Sequence, residues 1–393
     1  MSLEMAEISD ILDHRLDFIP EADFEAFLRL APAKWVVYLM TDGDGRSIQL
    51  LCVKNLRYSL KHRLGGDETI GLSKRVNYRE IVRAIHWRRV DSALEADWIY
   101  YEVARRIFPT TYQGMVGFRP AWFIHINPEA SFPRYTKTID LTNKTGIFIG
   151  PLEDKHVAGK LIESVEDWFD LCRYYHILTE APNGRACAYK EMGKCPAPCD
   201  GSISLPQYRR MIETSAKVLV DPREFIREQT RRMEDAAMEL RFEIAAKIKN
   251  YITQLSQLGK GPLRHVRRLS DFNFVSLQRG PRDGSAKIFL ITPGEIQEIA
   301  DLIAAPSRPS EILRLILATA DEHRAHPIDT PGVERIGIVT HHLFTSRQTH
   351  GVFLPLADIT EKQILKAYQD LLKQKQKDDP EGEGVVKELQ EMS

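Results

Sequence analysis

The apolar positions of this chain change period several times, and each change marks an element. Ile8, Ile11 and Leu12 recur near helical spacing, and Ala22 to Leu30 makes a second short helix after Pro20. WVVYLM (35–40), the turn TDGDG and SIQLLCV (47–53) read as a β-hairpin, with Asp42-Gly43 and Asp44-Gly45 supplying residues that tolerate positive φ. A basic helix is expected from Asn55 to about Leu64, then helices over 78–89 and 93–107. AWFIHIN and TGIFIG read as strands, 157–176 as a helix, 177–201 as a cysteine-containing loop and 206–220 as a helix again. From Pro222 to about Leu258 the pattern is one long charged helical stretch or a helical hairpin, broken by Gly261-Pro262. Beyond it FNFVSLQ, AKIFLIT, RIGIVT and GVFLPL read as strands, and 295–304, 309–324 and 360–374 as helices. The charged, glycine-containing tail from Lys375 is expected to be disordered.

This organisation predicts an α+β chain: N-terminal helices (1–30), a small α/β domain (31–155), a cysteine-rich segment (156–221), a helical hairpin (222–260), a C-terminal α+β domain (261–374) and the tail (375–393). With 393 residues, 28% charged and 43% hydrophobic, the chain has ordinary globular composition and length for two or three domains. The formal charge of −1, from 54 basic and 55 acidic residues, excludes a globally basic nucleic-acid binder but not a local basic face. No run of 18 apolar residues exists and the N-terminus lacks a secretory pattern, so a cytoplasmic address is expected and no membrane partner.

The cysteines carry the strongest chemical signal. Cys52 stands alone, whereas Cys172, Cys187, Cys195 and Cys199 cluster, with seven residues between Cys187 and Cys195 and three between Cys195 and Cys199. Four thiols in a reducing compartment suit tetrahedral Zn²⁺ or a [4Fe–4S] cluster; the alternative is a set of small buried hydrophobes. In 223–258, Met233, Ala236, Ala237, Leu240, Ile244, Ala245 and Ile248 form an apolar stripe between charged faces, a packing face toward a neighbouring or partner helix. Lys54, Arg57, Lys61 and Arg63 put positive charge on the helix after the hairpin, with Tyr38 on a strand beside it. A tyrosine, an arginine and a carboxylate could together support metal-assisted phosphodiester cleavage. His341-His342 is not expected to form a metal pair, and RHVRR (264–268) reads as an exposed linker.

These segments, in this order, resemble the UvrC family, the excinuclease component of bacterial nucleotide excision repair, over roughly residues 30–258. The cysteine loop followed by DGSISLPQYRRMI (200–212) looks like the family's cysteine region, and AAMELRFEIAAKIKNYI (236–252) resembles its UVR motif. The resemblance implies a UVR hairpin that associates with the helicase subunit, through Met233, Ala237, Leu240, Phe242, Ala245 and Ile248 here. It also implies an N-terminal GIY-YIG nuclease domain, from which this chain departs. Val36 replaces the first motif glycine, Gln49 the second tyrosine and Leu51 its glycine; Ser59 falls at the catalytic arginine and Tyr100 at the metal-binding glutamate.

Losing the arginine and the glutamate removes the phosphate clamp and the metal carboxylate, each worth on the order of 10²–10³ in rate. The family's C-terminal ribonuclease-H-like nuclease is not recognisable either; Asp271, Asp283 and Asp301 do not fall at matching strand positions. The reading is a UvrC-like DNA-repair protein with lost or weakened nuclease activity that binds a damaged or distorted duplex through Lys54, Arg57, Lys61 and Arg63, or regulates a partner. One alternative is an active endonuclease using Tyr38, Arg57, Arg63 and Glu102 with Mg²⁺ or Mn²⁺. The other is a pure interaction module built on the hairpin.

Overall fold

The computed structural model describes residues 9–65, 77–142, 145–302, 304, 308–322, 327–345 and 351–373. The expected tail and the start of the first helix, Ile8 included, lie outside them. Among the described residues the chain is α+β, with three four-stranded sheets, all antiparallel.

The first sheet takes β1 (His14–Asp17), β2 (Val36–Thr41), β3 (Ser47–Val53) and β4 (Ala84–Arg89) in the order β1-β4-β2-β3. Every residue of β2 is buried, because helices cover both faces of the sheet. Val36, Tyr38 and Met40 pack on one side with α1 (Phe24–Leu30, capped by Asp23) and α2 (Leu56–Leu64, capped by Asn55). Val37 and Leu39 point the other way, toward Leu94, Ile99 and Val103 of α3 (Ala93–Ile107).

The second sheet holds β5 (Trp122–Ile126), β6 (Thr136–Thr138), β7 (Ile147–Leu152) and β8 (Arg267–Arg268). Its core is closed by α4 (Lys155–Trp168) and α5 (Leu205–Val220), the latter begun by a Ser204/Gln207 capping box. The hairpin α6 (Arg223–Met238) and α7 (Phe242–Leu255) is anchored at its base by Trp168 Nε1 donating to Gln254 Oε1 at 2.8 Å and by packing of Phe169, Phe225 and Tyr251.

The third sheet, β9 (Phe274–Arg279), β10 (Ala286–Thr292), β11 (Glu295–Leu302) and β12 (Val352–Pro355), runs β11-β10-β9-β12. Val275, Leu277, Ile288 and Leu290 face Ile316 of α8 (Pro309–Glu322) and Ile364 and Tyr368 of α10 (Glu361–Lys373). Phe274, Phe289 and Ile296 face Ile336 and Val339 of α9 (Thr330–Phe344), and through them α3.

Several expected elements change type. Residues 14–17 are an edge strand rather than helix, and 78–89 is a short helix (Tyr78–Ile81) followed by β4. AIHWRR is buried over its first four residues, so it shows none of the alternation that would mark a strand. The expected helix 295–304 is strand β11, entered through Pro293 and Gly294 at φ +90°. Its pairing slips between Ile288 and Phe289, whose partners are Ala300 and Glu298; the extra residue, Ile299, gives the apolar positions a helix-like spacing. RIGIVT lies inside α9, which Asp329 caps and Pro331 begins. RHVRR is not a free linker. Arg264 and His265 bond the Leu343 carbonyl at the end of α9, and Arg267 and Arg268 are β8.

Helix α3 and the loop before it are tied to the C-terminal unit along their length. The Lys287 ammonium on β10 lies 2.7 Å from Glu95 Oε1 and 3.1 Å from Asp91 Oδ2, with Glu95 fully buried. Arg335 Nε donates to Glu102 Oε1 at 2.7 Å, and His342 Nε2 lies 3.0 Å from Asp97 Oδ2. Tyr101 and Tyr112 both donate to the Glu334 carboxylate, at 2.6 and 2.7 Å. Burial pushes the Glu95 carboxyl up, against the pull of Lys287; on Lys287 burial is outweighed by Glu95, and its pKa rises.

Removing one partner leaves the other charge buried and alone. Lys287→Met should therefore cost about 3–5 kcal/mol in denaturant unfolding, and Glu95→Gln/Lys287→Met should recover most of it. A loss below about 1 kcal/mol in the single variant would show that the pair does not hold the two regions together.

Candidate functional site

The hairpin brings Tyr38 to the α2 side of the first sheet. Its hydroxyl shares a 2.8 Å hydrogen bond with Ser59 Oγ, and Arg63 Nη1 donates to Gln49 Oε1 at 3.2 Å close by. Tyr38 is fully buried, and that burial raises its pKa against the opposing influence of Ser59 and Arg63. Tyr38 and Arg63 therefore meet, together with the departures Gln49 and Ser59.

Glu102 does not join them. It sits on α3, which packs on the opposite face through Val37 and Leu39, and its carboxylate is held by Arg335 and Arg105. Arg57, also on α2, uses its guanidinium as a strap: Nε donates to Ala31 O at 3.0 Å, at the end of α1. The four residues proposed for cleavage thus divide between two faces of one sheet. Asp271 and Asp283 likewise lie beyond opposite ends of β9, with Asp301 on β11.

The outer side of α2 is basic. Arg57 and Lys61 are exposed and Arg63 is half-buried; Lys54, also exposed, precedes the helix, with its ammonium 4.3 Å from the Trp35 ring centroid. From Lys54 to Leu64 the sequence KNLRYSLKHRL contains no acidic residue to neutralise this side. Such a face suits phosphate.

The cysteine segment folds against the second sheet's core. Cys172 follows α4; its N–H donates to Tyr208 O–H at 3.1 Å, and its thiol donates to the Tyr174 carbonyl at 3.5 Å. Cys172, Cys195 and Cys199 are buried, and Cys187 is half-buried at the start of the short helix Ala188–Glu191. Lys190 of that helix bonds Asp200 Oδ2 at 2.6 Å, so the Cys187 turn is tethered beside Cys199. Arg173 straps the loop: it pairs with Asp167, donates to Lys194 O at 3.3 Å and lies 4.4 Å from the Tyr189 ring centroid.

The neighbouring Cys172 and the Ala197 N–H lower the pKa of the Cys195 thiol, and the same proximity, with burial, raises that of Cys172. Ala197 reaches the turn with φ +53°, a left-handed conformation uncommon for alanine, enclosed by Pro196 and Pro198. Sulfurs met by backbone N–H groups are suited to be thiolate donors. Among the described residues, however, no three His, Cys, Asp or Glu side chains are already arranged to hold a metal ion.

At the far end of α6 and α7, Met238, Leu240, Phe242 and Ile244 are exposed around a turn in which Leu240 has φ +59°. Met233, Ala237, Ala245 and Ile248 are half-buried, whereas Leu240 and Phe242 belong to the exposed tip. The sequence stripe merged these two surfaces, because helical spacing alone does not separate an internal seam from a projecting end. It also missed Met238, Arg173 and the Asp91–Glu95–Lys287 set. A positive charge 192 residues from its partner Glu95 gives no local signal.

Residues 121–218 match the UvrC/Cho excinuclease middle domain, from β5 to α5, and residues 223–258 match the UvrB/uvrC motif, which covers the hairpin. The UvrABC system protein C of Clostridium perfringens (strain SM101 / Type A) is 24% identical over 277 residues, 70% of this chain and 44% of that protein. Those of Clostridium beijerinckii and Clostridium botulinum (strain Hall) are 24% and 25% identical over the same 70% of this chain and 44% of their own length. The chain thus spans less than half the length of these curated relatives. No solved structure matches it. Among the described residues no helix is long and apolar enough to cross a membrane.

Glu166, on α4 behind the cysteine loop, has a carboxyl pushed up to about 7 by burial, with Arg173 pulling it back. A carboxyl raised in the folded state binds more protons there than in the unfolded chain, so its contribution favours folding at low pH and is lost as pH rises toward 7. Glu166→Gln should remove that slope, raising stability relative to the parent by about 1 kcal/mol at pH 8 and little at pH 4. Parallel stability–pH curves for the two proteins would contradict this.

Proposed function

We propose that this chain is a UvrC-related factor of nucleotide excision repair that holds a damaged or distorted duplex and docks a partner, without cutting DNA itself. The observation that carries this reading is the split constellation: Tyr38 is sealed against Ser59 on one face of the sheet, while Glu102 is engaged by Arg335 on the other. An in-line phosphodiester cleavage needs its nucleophile-orienting and metal-holding groups around one phosphate. These residues do not fit a shared Mg²⁺ or Mn²⁺ site, and no step through such an ion is assigned to them.

Binding is assigned to the basic side of α2, where Lys54, Arg57, Lys61 and Arg63 contribute phosphate contacts and salt-dependent affinity. Docking is assigned to the hairpin, whose matched motif and exposed apolar tip suit a helical partner, in this reading the helicase subunit of the excinuclease.

Cys172, Cys187, Cys195 and Cys199 are proposed to hold a [4Fe–4S] cluster or Zn²⁺, which would cross-link the loop as a structural centre. The thiol donor set fits such a group, and Lys190 and Arg173 already draw its loop together.

Two experiments test this reading. Retention of a bubble-containing duplex should be strong at low salt, fall at moderate salt, and weaken with a shallower salt slope in Lys54→Glu/Lys61→Glu. Unchanged affinity in that variant would remove the α2 face. Anaerobically purified protein should carry about one metal centre per chain. Cys195→Ser/Cys199→Ser should abolish it, and full occupancy in Cys172→Ser would exclude Cys172 from the ligand set.

A further inference from the structure

The outer side of α2 also carries a large aromatic ring in water. Leu56, Leu60 and Leu64 are fully buried against the sheet, whereas Tyr58, one helical turn from Lys61, is 54% exposed. Its ring lies 6.5 Å from that of His62, tilted by 41°, so two flat side chains stand among the cations of a helix without an acidic residue. The opposite face of the same sheet is closed by α3 and the C-terminal unit, through Lys287, Arg335 and His342. Tyr58 therefore stands on the outward side of α2, the side that carries Lys61.

Cations alone hold a sugar–phosphate backbone whether or not its bases are paired. An exposed ring adds something they lack: a π-face onto which an unstacked base can settle, with little dependence on sequence. A base inside an intact duplex already stacks on its neighbours, so the ring gains nothing from it.

We propose that Tyr58 is a stacking platform for an unpaired nucleobase, and that it makes the α2 face select single-stranded or bubble-containing DNA over intact duplex. This rests on the DNA-holding role of that face and names the feature of the DNA it senses. Lys54, Arg57 and Lys61 supply affinity for any strand; Tyr58 supplies discrimination, and His62 borders the platform.

The test compares the full chain with Tyr58→Phe and Tyr58→Ala, measuring anisotropy of a labelled single-stranded oligonucleotide, a bubble duplex and a fully paired duplex. A 2-aminopurine in the unpaired segment reports stacking. Tyr58→Ala should weaken single-strand and bubble binding roughly tenfold, leave paired-duplex affinity and its salt slope unchanged, and abolish quenching of the aminopurine. Tyr58→Phe, which keeps the ring, should behave like the parent. Unchanged single-strand affinity in Tyr58→Ala, or equal losses on all three DNAs, would overturn the proposal while leaving the DNA-holding role in place. A parent protein that binds none of the three would overturn both.

Discussion

The Lys287 ammonium sits between the Asp91 and Glu95 carboxylates, and Glu95 has no exposure to water. Charges so placed are stable only as a set, because an unpaired member would be buried without solvent. Their pairing seats helix α3 between the first and third sheets, with Glu102–Arg335 and Asp97–His342 further along the same helix repeating the tie. The N-terminal sheet is thus covered by α3 on one face and by α1 and α2 on the other. The α3 face holds Glu95 and Glu102, each engaged by a basic side chain. The α2 face holds the buried Tyr38 and the half-buried Arg63, with the basic side of α2 outermost.

Tyr38 and Glu102 consequently lie on opposite faces of that sheet. Tyr38 shares its hydrogen bond with Ser59 on the α2 side. The second sheet is organised by a different chemistry. There the cysteine loop is drawn onto α4 by Arg173 and onto α5 by the Tyr208 hydroxyl, with Lys190 closing it internally on Asp200, and the hairpin projects beyond it with its base packed and its tip bare.

Much of this is legible in the residues. Asp-Gly pairs between two apolar runs announce β2 and β3, clustered thiols announce the segment that becomes the buried cysteine turn, and the alanine-bearing stripe announces the hairpin helices. The misread elements share physical causes. Strand β4 is covered on both faces and lacks alternation; the bulge at Ile299 re-phases β11; and the β-branched run in α9 outweighs the Asp329 and Pro331 signals just upstream. The division of Tyr38 from Glu102 was not legible, because which face a helix covers depends on tertiary packing and on ion pairs between distant residues.

The most direct measurement of the central claim is incision of a lesion- or bubble-containing duplex by the full chain with Mg²⁺ or Mn²⁺, with and without the helicase partner. The account predicts a retained, uncut duplex under every condition. Incision by the parent that disappears in Tyr38→Phe would contradict it, and would mean that Tyr38 and a carboxylate come together around one phosphate after all.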